Sequence, residues 1–425
     1  MTITAQQSLA EVINCLSDYD PNALRVSDAQ QVIEQFVQPV QAIEMVAIRD
    51  ALDRILARDL ISSIDVPAHD NSAMDGYAVR AADLTPDAQT QLKVIGTATA
   101  GKPLEIELPA ECAVRIMTGA VMPHGADTVV VQEITTVQDA LVCIPPGQQL
   151  GQNRRLRGED LTRGKPAIKA GKRITPADLG LIASLGIAEV PVRRRLRIAF
   201  FSTGDELRSI GETLEPGQIY DSNRYTLHGM LRRLGVELID MGVIPDRREA
   251  LEDAMRIAGA NADAIISSGG VSVGEADFTR EVMGRLGDVA FWTIGMRPGR
   301  PMAFGRVGHA CYFGLPGNPV AVMITFYFFV RDALLRMMGA TRSSLPYLRA
   351  TSSVPIRKRP GRTEYQRGIL SLGSDGTMQV ALTGGQGSGV LRSMSEANCI
   401  VVLHHDQESV SAGDKVDCLP FEGLI

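Results

Sequence analysis

The segment NADAIISSGGVSVGEADF, residues 261–278, gathers residue types suited to handling phosphate. A short apolar run, Ala264 to Ile266, reads as a buried strand. Ser267, Ser268, Gly269 and Gly270 follow it, then Val271, Ser272, Val273 and Gly274, then the carboxylates Glu275 and Asp277. A glycine-dense turn directly after a buried strand lets main-chain N–H groups approach an anion closely. Gly269, Gly270, Ser272 and Gly274 are therefore candidate phosphate-binding positions. Carboxylates beside such a turn can hold a divalent cation or orient a nucleophile next to a phosphate. The segment is neither the Gly-Lys-Ser/Thr phosphate loop nor the dinucleotide fingerprint. Its plain alternative is a tight strand-to-helix turn with a solvated acidic helix start.

Other polar groups fall where an α/β sheet would use them. Residues 196–340 alternate between strands (LRIAFF, VELIDMGVI, DAIIS, VAFWTIG, ACYFGL) and helices (223–234, 247–260, 278–286, 320–338). That pattern predicts a parallel sheet covered on both faces, with ligands bound beyond the carboxyl ends of its strands. STGDEL with Asp205 and Glu206 follows the first strand, and Pro245 and Asp246 follow the second. The glycine loop follows the third, and MRPGRPMAFG with Arg297 and Arg300 the fourth. PGNP follows the fifth, where Asn318 can cap the long helix and Pro319 begin it. Glycine turns and a helix amino terminus attract phosphate, and arginines clamp oxyanions. The carboxylates would repel the same anion unless a cation such as Mg²⁺ lay between them.

The remaining chain frames this unit. Residues 8–18 and 28–37 have helical spacing; 43–60 reads as a strand, Glu44 to Ile48, followed by a helix through Ala51 to Ala57. From 61 to 150 the segments LKVIGTA, CAVRIMTG, DTVVVQE and LVCIPP read as short strands of an inserted, mostly-β domain. Residues 1–60 and 151–195 form an extended linking domain, with a helix capped by Thr175. Residues 196–345 form the α/β domain, and 346–425 a small carboxyl-terminal β-barrel. DNSAMDGYA, 70–78, carries Asp70 and Asp75 around a turn and is equally compatible with a structural role. Thr118-Gly119 could offer a hydroxyl and an amide to an oxyanion. Arg154, Arg155 and Arg157 could bind an anion, or pair with Glu159 and Asp160.

Composition narrows the classes. The chain has 425 residues, 45% hydrophobic and 22% charged, with net charge −6, typical of a globular protein. The charge disfavours general nucleic-acid or membrane-surface binding. The first basic residue is Arg25 and the most apolar segment is Val320 to Val330, so neither a signal peptide nor a membrane span is expected. The six scattered cysteines form no C-x-x-C or zinc pattern, and a cytoplasmic location is expected. His404-His405 reads as a strand end rather than a ligand pair. A covalent mechanism is not expected.

DVPAHDNSAMDGYAV, RIMTGA, GQNRRLRGED, FSTGDEL, GQIYDSN, SSGGVSVGEADF, RPGRPMAFG and LPGNPV, in this order, resemble the signature segments of the molybdopterin molybdenumtransferases, the MoeA family, which includes the enzyme domain of gephyrin. The resemblance implies insertion of molybdenum from molybdate into adenylylated molybdopterin with release of AMP, assisted by Mg²⁺ or a similar divalent cation. It implies an elongated four-domain homodimer whose cleft is shared between subunits, and an α/β domain resembling the molybdopterin adenylyltransferase fold. It also implies contact with the molybdopterin adenylyltransferase and with cofactor acceptors. By position, the functional acids are Asp75, Asp160, Glu206, Asp246 and Asp277, of which Glu206, Asp246 and Asp277 organise the cation. Thr118 lines the cleft from the partner subunit, Pro316 and Pro319 shape the loop before the long helix, and Arg367 and Ser388 reach in from the last domain. Where many members carry lysines, this chain has Thr293, Arg297 and Arg300. The two arginines can still grip an oxyanion. Rival readings are adenylylation of the pterin itself and a carrier that binds the pterin without turnover.

Overall fold

The computed structural model describes residues 8–13, 19–271, 276–342 and 345–424, with backbone alone at 276–278. At its centre lies a six-stranded sheet. Arg197–Thr203 pairs in parallel with Glu237–Ile244 and with Ala264–Ser268, which pairs in parallel with Ala310–Leu315. These are four of the five predicted parallel strands; the fifth, in VAFWTIG, joins the sheet through an antiparallel neighbour instead. Two further strands, Gly287–Thr293 and Pro301–Val307, run antiparallel to their neighbours, so the sheet is mixed. The sequence pattern shows PMAFGRV only as loop. The short segment between Thr293 and Pro301 folds it back as a hairpin.

The helices Ser222–Leu234, Arg248–Asn261, Ala276–Leu286 and the continuous helical stretch from Pro319 to Met337 cover the sheet. The stretch widens to a π-helical turn at Phe326–Val330, where all five side chains are buried. Helix Val26–Phe36 also packs here. Its Ala29, Val32, Ile33 and Phe36 share a core with Phe304 and Phe328, and the rings of Phe36 and Phe304 meet edge to face at 5.3 Å. The predicted helix at 8–18 is described only at Leu9–Ile13; residues 14–18 lie outside the described residues.

The predicted helix through Ala51 to Ala57 does not form. Leu56 donates its amide to Lys172 and Ala57 to Pro191. Ile55 is buried in the core around the α/β sheet, whereas Leu56 is buried in the core around Ile174 and Ile182. Consecutive side chains facing opposite cores are an extended-chain arrangement. Nearby, Ile43–Ala47 pairs antiparallel with Glu189–Arg193, and Leu60–Ile61 with Pro166–Ile168. Helix Pro176–Ser184 is capped by Thr175, whose hydroxyl accepts from the Asp178 amide while Asp178 reaches back.

Residues 71–144 contribute a second six-stranded sheet, ordered Thr128–Val131, Gly76–Val79, Cys112–Ile116, Thr90–Ala98, Leu141–Ile144 and Thr136–Gln138. Toward the carboxyl end Thr363–Leu372, Met378–Leu382, Leu348–Ser352, Lys415–Pro420 and Cys399–Leu403 pair in sequence. The last pairs back onto the first, closing a barrel. Met296–Arg297 adds to this barrel in parallel, with Arg297 opposite Glu364. A loop of the α/β unit is thereby bound to the barrel wall. His404 follows the barrel strand and its Nε2 meets Asp417 Oδ2 at 2.7 Å, as a strand-end reading expects. Among the described residues no helix is long and apolar enough to cross a membrane.

Candidate active site

A cavity of about 790 Å³ opens at the carboxyl ends of the parallel strands, where an α/β sheet binds its ligands. Each predicted strand end contributes to it: Glu206, Asp246, Gly269 with Gly270, Arg297 with Arg300, and Pro316 with Pro319. Ser388 enters from the barrel side.

The glycine turn has a steric basis. Gly269 has φ +94°, and a Cβ there would lie 2.4 Å from the Thr203 carbonyl oxygen. Gly270 also has positive φ, at +69°. Side chains are thus excluded where the turn passes close against Thr203 of the neighbouring strand. Ser272 and Gly274 lie outside the described residues, as does the side chain of Asp277, which falls in the first turn of helix Ala276–Leu286.

The acids are oriented by their neighbours. Thr203 Oγ1 donates to Asp246 Oδ1, and the Asp246 amide donates to Asp205 Oδ1 at 3.2 Å. Glu206 is exposed at the rim. Among the described residues no three His, Cys, Asp or Glu side chains gather as a metal cage. Glu206 and Asp246, both lining the cavity, do match the donor set of Mg²⁺, which takes one or two carboxylates together with substrate phosphates and water.

Two helices start at the cavity, with Ser222 and Pro319 both in its lining. Asn318 occupies the cap position of the second, but its side chain makes no capping hydrogen bond. Asp221 caps the first by accepting from the Arg224 amide at 3.1 Å, and it also takes the Ser202 hydroxyl at 2.9 Å. Asn223, nine-tenths buried, donates to Ser268 Oγ at 2.8 Å and to the Gly317 carbonyl at 2.6 Å. It thus ties the glycine turn to the PGNP loop. Functional reading of the sequence missed Asp221 and Asn223, although the D-S-N run directly before a helix was the available signal.

Arg367 does not reach into the cavity. It is 1% exposed and its guanidinium is engaged from behind. Nε donates to Ser393 Oγ at 3.0 Å, and one terminal nitrogen donates to the carbonyls of Gly385 and Gly387 at 3.1 and 3.0 Å. Gln386, Gly387 and Ser388 line the cavity, so Arg367 positions the loop that reaches in. Burial, aided by the charge of Arg297, lowers its pKa to about 10. Thr293 lies outside the lining. Its backbone is tied to the amino-terminal segment, with its amide donating to Pro21 at 2.7 Å.

Asp75, Thr118 and Asp160 do not line this cavity of their own chain. Asp75 Oδ1 accepts both the Thr118 amide and the Thr118 hydroxyl at 2.7 Å. These two bonds hold its carboxyl below the usual carboxylate range. Asp160 is exposed, and its amide donates to Val66 at 3.0 Å. The basic run pairs with other acids than its neighbours Glu159 and Asp160. Arg154 takes Asp70, and Arg157 Nε takes Asp65 at 2.7 Å. Asp70 also accepts the Arg157 amide at 2.7 Å.

Comparison with known proteins agrees along the whole chain. Residues 24–186 match the MoeA N-terminal region (domain I and II), 199–336 a probable molybdopterin binding domain, and 349–421 the MoeA C-terminal region (domain IV). The chain is 42% identical over 397 residues to the molybdopterin molybdenumtransferase of Haemophilus influenzae, covering 93% of this chain and 98% of that one. The chain belongs to the molybdopterin molybdenumtransferase, or MoeA, family. It is 36% identical to the family member of Nostoc sp., over 92% of both chains. The solved structure of the molybdopterin biosynthesis moeA protein from Pyrococcus horikoshii OT3 superposes with a TM-score of 0.81 at 27% identity. That superposition covers 94% of this chain and all of that one. As a molybdopterin molybdenumtransferase the chain is an enzyme of molybdenum cofactor biosynthesis.

Proposed function

We propose that this chain inserts molybdenum from molybdate into adenylylated molybdopterin and releases AMP. The observation that carries this reading is that one cavity brings together the glycine turn, Glu206, Asp246, Arg297 and Arg300. Adenylylation of the pterin alone would not need the barrel loop at Ser388. A carrier without turnover would not need acids beside a phosphate-sized turn.

The residues divide the work. The main-chain amide of Gly270, with the two helix amino termini, binds phosphate, while Gly269 gives its own amide to the Leu315 carbonyl at 3.1 Å and fixes the turn. Arg297 and Arg300 hold the oxyanion. Glu206 and Asp246 would hold Mg²⁺ or a similar divalent cation, with Asp277 the third candidate; the cation supplies charge neutralisation between carboxylates and phosphate. Asp246, oriented by Thr203 and Asp205, is placed to position the water or oxyanion that displaces AMP. Catalysis is thus positioning and electrostatics.

The active unit is a homodimer in this reading. Asp75, Thr118 and Asp160, away from their own chain's cavity, complete the cleft of the partner copy. The division into an extended linking part, an inserted β part, the α/β part and the barrel serves that geometry. The adenylyltransferase that makes the substrate and the proteins that accept the product are the expected contacts, and the cytoplasm the expected location. Purified chain incubated with adenylylated molybdopterin, molybdate and Mg²⁺ should release AMP in proportion to molybdate, and Glu206→Gln should lose most of that release while remaining folded. Binding of the pterin without AMP release would refute the transferase reading in favour of a carrier.

A further inference from the structure

Beside the main cavity lies a second one of about 380 Å³. Its wall carries Arg297, Arg357, Lys358, Arg359 and Arg362 against one acid, Glu364. Arg297 and Arg362 line both cavities, so the two share a wall. This excess of positive charge stands in a chain of net charge −6.

Not all of that charge is available. Arg362 is bound to Glu364, with Nε to Oε1 at 2.8 Å. Lys358, 6% exposed, spends its ammonium on the carbonyls of Arg359, His405 and Gln407 at 2.9, 3.2 and 3.1 Å. Ser409 is held by the Lys358 backbone. Arg297, Arg357 and Arg359 remain. All three are exposed, and among the described residues none has an ion-pair or side-chain hydrogen-bond partner. Elsewhere Arg154, Arg157, Arg194, Arg224, Arg248 and Arg256 are each held by an acid. Unpaired guanidinium groups around a concavity repel one another until an anion enters, and their planar forks suit a tetrahedral oxyanion. Parallel pairing of Arg297 with Glu364 fixes Arg297 at the shared wall.

The geometry points to a tetrahedral-dianion site in this second cavity, formed by Arg297, Arg357 and Arg359, from which Arg297 can pass the anion to the main cavity. Arg357 and Arg359 capture the anion at the barrel surface, and Arg297 touches it in both places. The site extends the proposed function by naming where the oxyanion substrate waits, but its existence needs no turnover.

Equilibrium dialysis of molybdate against the full-length chain at low ionic strength tests this, because salt would screen exposed arginines. Wild type should bind molybdate at two sites. Arg357→Ala with Arg359→Ala should weaken one site and spare the other; removing each charge-assisted hydrogen bond should lower affinity roughly 10- to 100-fold. Arg297→Ala should weaken both, and Arg392→Ala, removing an exposed arginine elsewhere, neither. If the double variant is poorly folded, the exposed single change Arg357→Gln gives the same reading at smaller size. Competition assigns the source. Displacement by sulfate but not glycerol 3-phosphate marks a free inorganic dianion, whereas displacement by glycerol 3-phosphate marks the phosphate of a larger ligand. The site is overturned if the double variant binds molybdate with wild-type stoichiometry and affinity, or if neither competitor displaces the second ion. Loss of AMP release with both ions still bound would count against the transferase reading alone.

Discussion

Replacing Arg367 with methionine separates a residue that touches the ligand from one that holds the loop which does. Methionine keeps a long unbranched side chain but removes three hydrogen bonds, to Ser393, Gly385 and Gly387. At about 1.5–3 kcal/mol for each bond from a charged donor, the gross loss is roughly 4.5–9 kcal/mol. Removing the charge also relieves a cost. The guanidinium pKa falls from 12.5 to about 10 on burial, a penalty on the cation of roughly 3 kcal/mol. The net cost is therefore about 1.5–6 kcal/mol, concentrated on the loop that carries Gln386, Gly387 and Ser388. Hydrogen exchange reads this directly. The Thr383 amide, bonded to the Arg367 carbonyl at 3.0 Å, and its neighbours should exchange at least about 10-fold faster. Molybdate binding should weaken in parallel, while Ser388→Ala should weaken binding with no change in exchange. If Arg367→Met abolishes binding and leaves exchange within two-fold, the guanidinium reaches the ligand itself and the positioning argument fails.

Gly269→Ala should cost about 1–3 kcal/mol from the positive φ alone, and more because the new Cβ would meet the Thr203 carbonyl at 2.4 Å; an unchanged denaturation midpoint would contradict the steric account. The Asp75 carboxyl, held low by the Thr118 amide and hydroxyl, stabilises their contact above the ordinary carboxylate pKa and loses it as pH falls through the lowered value. The Thr118 amide resonance should accordingly titrate with a midpoint below 3.8, and a midpoint at or above that value would refute the pairing. Chains carrying Asp75→Ala and chains carrying Asp246→Ala, each inactive, should regain part of their AMP release when mixed and exchanged, since one of two shared clefts is then intact; proven exchange without recovery would exclude a cross-subunit site.

Much of the candidate site was legible because its signals are local. The run DAIIS followed by Ser-Gly-Gly marks a buried strand and a turn within a few residues, and the sheet brings that turn together with Glu206, Asp246, Arg297, Arg300, Pro316 and Pro319. Convergence follows because parallel strands joined by covering helices all end on the same edge. Thr175 as a helix cap is equally local.

What the sequence left open depends on partners far along the chain. Ala51 to Ala57 has helical spacing, yet residues 172–174 and 191–193 offer it backbone partners and two separate cores, so packing overrides propensity. Arg154 and Arg157 lie beside Glu159 and Asp160 but pair with Asp70 and Asp65, more than 80 residues away in sequence, because the antiparallel contact of Arg154–Arg155 with Asn71–Ser72 brings those acids closer. Arg367 reads as a charge available to a ligand, and only the folded barrel shows its fork already engaged by Ser393, Gly385 and Gly387. Residue type and local spacing fix which groups can do chemistry; which of them remain free to do it is decided by long-range pairing, since most buried donors take an acceptor that the fold supplies.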